Sequence, residues 1–102
     1  MFGNTRSLKL QVEEPFTNRS RLSIIYQILW ISQETQVSQT KLMYKANLSY
    51  FQLKKYVHSL LIKGLLQETI QDSKKSYQTT PRGRHYIEAF RDLTQLLGNS
   101  MH

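Results

Sequence analysis

Between Thr40 and Leu66 the chain carries five lysines, Lys41, Lys45, Lys54, Lys55 and Lys63, and no carboxylate. The acid-free interval runs from Thr35 to Gln67, thirty-three residues between Glu34 and Glu68. Solvated surfaces ordinarily interleave both signs of charge, so a one-signed stretch of this length points to a polyanionic partner. Among these lysines lie Tyr50, Phe51, Gln52 and His58. Their chemistry suits base edges: Gln pairs with adenine, Lys donates to guanine, and an aromatic edge meets a thymine methyl. Lysines set further along suit phosphates. Two more basic pairs follow, Lys74 with Lys75 and Arg82 with Arg84.

Catalytic chemistry is poorly supplied. With no cysteine in the chain, disulfides, thiolate nucleophiles and cysteine-ligated metals are excluded. No glycine-flanked nucleophile, phosphate loop or pair of buried carboxylates is legible. His85 and Glu88 stand three apart without an evident third ligand, which is too few for a metal site. The expectation is a binding protein that is not an enzyme and needs no cofactor.

The 102 residues suffice for one domain, and 39% of them are apolar, enough for a modest core. The net charge is +7, of which residues 20–64 hold +5, so the basic excess is concentrated in the middle of the chain. No apolar run reaches the roughly 18 residues of a membrane span, and "MFGNTRSLKLQ" lacks the apolar core of a signal peptide. A cytoplasmic, nucleoid-associated protein is expected.

These side chains need elements to hold them. Residues 1–19 keep no period and read as a flexible N-terminal arm, with a short strand conceivable over "LKLQV". From Ser20, Leu22, Ile25, Ile28 and Leu29 recur at helical spacing with Ile24, Trp30 and Ile31 beside them, a wide stripe that predicts a largely buried helix ending near Ser32 or Gln33. Ser38 caps a second helix over about Gln39 to Ala46 that buries Leu42 and either Met43 or Ala46, and Val37 before it is a candidate strand residue. Asn47 tolerates the left-handed backbone that closes a helix. Ser49 then opens a third helix, with Gln52 completing a capping box. Two helices joined only through "ANLS" must cross steeply, as in a helix-turn-helix. The third helix runs to about Lys63, where Gly64 ends it. "LLQETI" and "SYQTT" are β-compatible, and the turn "QDSKK" between them makes a hairpin with Lys74 and Lys75 near its tip. Thr80 caps a fourth helix with Pro81 at its first position, extending to about Leu97 before Gly98.

Helix, helix, helix, strand, strand, helix is the order of a winged helix-turn-helix: mainly α with a small β-hairpin, one domain over 20–98 with a C-terminal helix over 81–97. At 100° per residue, Leu53, Val57 and Leu60 share the core face of the third helix, and Phe51, Lys55, His58 and Ile62 the opposite one, flanked by Gln52, Lys54 and Ser59. The N-terminal part of that helix is the part that enters a major groove in this arrangement. The expected DNA contacts are therefore Lys41, Lys45, Ser49, Tyr50, Phe51, Gln52, Lys54, Lys55 and His58, Lys74 and Lys75 of the wing, and Arg82 and Arg84. The last two stand in a helix's first turn, where cations oppose the dipole; a phosphate or a carboxylate partner would account for them. Tyr86, Phe90, Leu93 and Leu97, spaced four, three and four, with Ile87, Ala89 and Leu96, form a broader apolar stripe than a small core requires. That predicts a homodimer through the C-terminal helix.

"TKLMYKANLSYFQLKKYVHSLLIKGLL" and "YQTTPRGRHYIEAF" together resemble the archaeal winged-helix DNA-binding proteins, a group that includes small basic Sulfolobus proteins paired through a C-terminal antiparallel coiled coil, and predicted archaeal transcriptional regulators. The likeness covers roughly Arg21 to Leu97. It implies double-stranded DNA binding through the third helix and the wing, without catalysis. It carries over to Tyr44, Asn47, Leu48, Ser49 and Tyr50 in the turn and to Gly83 in the fourth helix, mostly as structural positions. Two features depart from the pattern: the fourth helix stops near Gly98, short of a long coiled coil, and the N-terminal arm is not shared. The combined expectation is a dimeric DNA-binding transcriptional regulator. A protein-interaction module of a larger assembly and an architectural nucleoid protein are the alternatives.

Overall fold

The structure, a computed structural model, describes residues 20–98. The N-terminal arm and the strand expected over "LKLQV" lie outside the described residues. Four helices and three strands follow in the order α1 (Arg21–Ile31), β1 (Val37–Ser38), α2 (Gln39–Ala46), α3 (Tyr50–Ile62), β2 (Leu66–Gln71), β3 (Lys74–Thr79) and α4 (Pro81–Leu96). The three strands form one antiparallel sheet in the order β1-β3-β2. Val37 thus belongs to a two-residue strand, with Val37 opposite Tyr77 and Ser38 opposite Ser76, and the hairpin gains a third member.

The helix boundaries follow from local caps. The Ser20, Ser38, Ser49 and Thr80 side chains accept from the backbone N–H three residues on, at the starts of α1, α2, α3 and α4. Asn47 sits at φ 56°, ψ 53°. Its N–H donates to the Tyr44 carbonyl and the Leu48 N–H to that of Met43, the paired bonds of a left-handed helix end. Gly64, at φ 73°, closes α3 the same way, with Gly64 donating to Leu61 and Leu65 to Leu60. The hairpin turns on two residues, Asp72 and Ser73, both at positive φ. Two-residue loops of that hand match the twist of the flanking strands.

Ile24, Ile28 and Leu29 of α1, Leu42 and Ala46 of α2, Leu48 of the joint, Leu53, Val57 and Leu60 of α3, Val37, Leu66 and Tyr77 of the sheet, and Ile87 of α4 make one core. Burying each large side chain contributes about 1.5–3 kcal/mol. Leu22 and Trp30 depart from the expectation of a largely buried first helix, because both are about half exposed. α4 packs against their side of α1: the Tyr86 hydroxyl donates to the Leu22 carbonyl at 2.7 Å, and the Arg91 guanidinium lies 5.3 Å from the Trp30 ring centre. Gly83, in the first turn of α4, is buried, and a Cβ there would collide with the Leu65 carbonyl oxygen and the Thr79 methyl. That close approach lets α4 dock on the start of β2. Thr80 reinforces it, donating to the Gly64 carbonyl at 2.6 Å while accepting from the Gly83 N–H.

Candidate nucleic-acid interface

α3 presents its outer face as the periodicity requires. Leu53, Val57 and Leu60 are buried, whereas Tyr50, Phe51, Gln52, Lys54, Lys55, His58 and Ile62 are exposed. Phe51 is 78% and Ile62 71% exposed, so the ridge of the helix carries apolar groups between basic flanks. At its N-terminus the capping box is complete: the Gln52 N–H donates to Ser49 Oγ at 3.1 Å, and the Ser49 N–H donates to Gln52 Oε1 at 2.9 Å. Tyr50 packs edge-on against Phe51 with ring centres 6.0 Å apart, and Lys54 Nζ lies 5.4 Å from the Tyr50 ring centre.

The wing side of α3 bears a cleft of about 270 Å³, lined by Gln39, Lys54, His58, Glu68, Lys75 and Tyr77 among others. A second cavity, sharing Gln39 and Lys75 with it, lies between Ser38, Gln39 and Thr40 at the start of α2, Tyr50, and Ser73, Lys74 and Lys75 of the wing. The fold thereby brings Lys54, His58 and Lys75 to one cavity and Tyr50, Lys74 and Lys75 to the other, residues up to 25 positions apart in sequence. Glu68 introduces a carboxylate into the first. It lies opposite Tyr77 in the β2–β3 register and accepts from its hydroxyl; burial, then the Glu68 charge and that hydrogen bond, push Tyr77 up to about 12. Sequence reasoning passed over Gln39, Thr40, Glu68 and Tyr77. The strand alternation of β2 and β3 is the signal that would have put Glu68 and Tyr77 on one face.

The other side of α3 faces the start of α1. There a further cleft is lined by Arg21, Ile25, Gln52, Lys55, Tyr56, Ser59 and Lys63. Gln52 and Lys55 were expected contacts; no local pattern could have brought in Arg21, thirty-four residues before Lys55. Lys41, Lys45 and Arg84 are exposed and line none of these clefts. Arg82 is turned to α3, its Nε donating to the Lys63 carbonyl at 2.9 Å, which supplies a partner that is neither phosphate nor carboxylate.

The four residues of the expected dimer stripe divide. Phe90 stacks on Tyr26 of α1 with ring centres 4.6 Å apart, and Tyr86 bonds the Leu22 carbonyl, so both pack within the domain. Leu93 is 47%, Leu96 83% and Leu97 67% exposed. Among the described residues no group of three or more His, Asp or Glu could hold a metal ion, and no helix is long and apolar enough to cross a membrane.

Two abutting helices that cross at a left-handed joint, followed by a hairpin folded back beside the second helix, define a winged helix-turn-helix protein. The chain belongs to the winged helix-turn-helix family, whose model matches residues 18–98. It is similar to the uncharacterized protein MJ0287 of Methanocaldococcus jannaschii, 26% identical over 81 residues, 79% of each chain. It is 29% identical over 83 residues to the uncharacterized protein MJ0290 of the same organism, where the match takes in 81% of this chain and 37% of that one. Among solved structures it resembles Sso10a-2, a DNA-binding protein from Sulfolobus solfataricus, with a TM-score of 0.71 at 23% identity over 79% of this chain and 84% of that one.

Proposed function

We propose that this protein binds double-stranded DNA as a transcriptional regulator, without catalysis, seating α3 in the major groove and the β2–β3 wing against the adjoining backbone or minor groove. The observation that carries this reading is the outer face of α3, an exposed ridge with Lys54 and Lys75 in the cleft on its wing side and Arg21, Lys55 and Lys63 in the cleft on its α1 side, in an interval with no carboxylate from Thr35 to Gln67. Phosphate repels carboxylates and draws such cations, and an apolar ridge residue such as Phe51 suits a thymine methyl. The family and the likeness to a DNA-binding protein support it.

We further propose that two copies pair through the last turns of α4. Leu93, Leu96 and Leu97 stand exposed on a helix whose earlier aromatic residues are already packed. A two-fold pair reading one face of B-DNA would hold its α3 helices roughly 34–36 Å apart.

A duplex titration over a range of salt tests the DNA reading. If about five to seven phosphates are neutralised per protomer, log K against log[salt] falls with a slope of roughly −4 to −6. A slope near zero, or no duplex binding, rejects the reading and leaves a protein-interaction module.

A further inference from the structure

We propose that the cleft between the start of α1 and the outer flank of α3 is a phosphate seat, formed by Arg21, Lys55, Lys63 and the amide of Gln52, that grips the DNA backbone strand opposite the one met by the wing. This rests on the DNA-binding reading above.

The cleft has a volume of about 430 Å³, and among the described residues its lining of Arg21, Ile25, Gln52, Lys55, Tyr56, Ser59 and Lys63 includes three cations and no carboxylate. The wing-side cleft differs, because Glu68 lies among Lys54, His58 and Lys75 there. Among the described residues, the α1 side is therefore the flank of α3 that sets no carboxylate against an anion.

Two of its side chains are already held by bonds to their own helix. Lys63 Nζ donates to Ser59 Oγ at 3.1 Å, which uses one of its three hydrogens, and the Lys63 carbonyl is fixed by Arg82. Gln52 Oε1 accepts from the Ser49 N–H at 2.9 Å; the oxygen keeps a second lone pair, but the bond orients the amide, and its NH₂ group is the donor it offers a ligand. Gln52 and Lys63 stand roughly 16 Å apart along α3, so successive phosphates of one strand running along this cleft would meet donors in turn: a guanidinium, two ammonium groups and an amide. A helix lying in a major groove about 12 Å wide has a phosphate backbone on either side, so α3 needs such a seat on its α1 flank as well as on its wing flank.

The role of Gln52 changes accordingly. Bidentate pairing with adenine takes both amide atoms, Oε1 accepting from N6 and Nε2 donating to N7. Pairing with adenine while keeping the capping box would require Oε1 to accept twice with the amide plane fixed by both partners, whereas donation from Nε2 to a phosphate leaves the box undisturbed.

The experiment is a salt-dependent titration of the full chain on several duplexes, with Arg21→Gln, Lys63→Gln and Gln52→Glu beside the wild type and a thermal melt of each. Arg21→Gln and Lys63→Gln should each flatten the salt slope by about one and weaken every duplex alike, about eightfold near 0.1 M salt. Gln52→Glu keeps an acceptor for the Ser49 N–H, since Glu serves a capping box as well as Gln; it should melt like the wild type yet bind every duplex more weakly. If the wild type binds duplex with the steep slope and the Arg21 and Lys63 variants keep that slope, the seat is refuted while the DNA reading stands. Loss of discrimination at one base pair in Gln52→Glu, with other duplexes bound as before, would return Gln52 to base reading and overturn its place here. A wild type that binds no duplex overturns both readings.

Discussion

Arg82 Nε donates to the carbonyl oxygen of Lys63 across 2.9 Å, joining the first turn of α4 to the last turn of α3. A cation in the first turn of a helix opposes that helix's dipole, but the same charge at the C-terminal end of another helix is favourable. The guanidinium lies at the carbonyl end of α3, so the penalty within α4 is offset there. Arg82→Ala should lower stability by about 0.5–1.5 kcal/mol, the worth of one hydrogen bond, seen as a thermal midpoint several degrees lower. Its DNA salt slope should match that of the wild type. A slope flatter by about one would place Arg82 among the phosphate contacts instead.

Gly83 is required by contact. Its position within α4 is helical, but an added Cβ would meet the backbone oxygen of Leu65, which cannot swing aside as a flexible side-chain end can. Gly83→Ala should therefore destabilise the domain by about 1–3 kcal/mol, the usual cost of overpacking, although alanine is the better helix former by roughly 1 kcal/mol. Denaturant melts of the two proteins check the sign; a stabilised alanine variant would show that α4 does not dock this closely.

Tyr77 gives stability an alkaline limb. Its folded pKa of about 12 lies above the ordinary 10.0, through burial first and the Glu68 carboxylate second. The fold favours the neutral phenol, so this contribution is complete below pH 10 and is lost as pH rises from 10 to 12. In Tyr77→Phe the loss of stability across that window should be shallower than in the wild type, measured as the difference between the two unfolding curves at each pH. Identical slopes would mean that the phenol ionises as freely folded as unfolded.

The dimer reading separates α4 into two parts. Sedimentation of the full chain at tens of micromolar should give a dimer, and replacing Leu93, Leu96 and Leu97 by Ser should give a folded monomer, because those side chains are exposed within the protomer. Phe90→Ala should instead cost the protomer about 2 kcal/mol, since it removes the ring stacked on Tyr26. A wild-type monomer under these conditions rejects pairing through α4.

Much of the fold was legible because its punctuation is local. A serine three residues before the N–H that it caps, an asparagine that accepts a left-handed backbone, or a proline at the first helical position acts over a few residues, and a linear sequence displays such distances directly. The exposed face of α3 was legible for the same reason, since helical period alone separates Phe51, Lys55, His58 and Ile62 from Leu53, Val57 and Leu60. The neighbours of that face were decided elsewhere. Arg21 reaches the α3 flank, Glu68 enters the wing cleft, Arg82 turns to α3, and Tyr86 and Phe90 are taken up by α1. Each depends on the angle and depth at which whole elements dock. That geometry arises from many side chains packed together, so no residue spacing within one element records it.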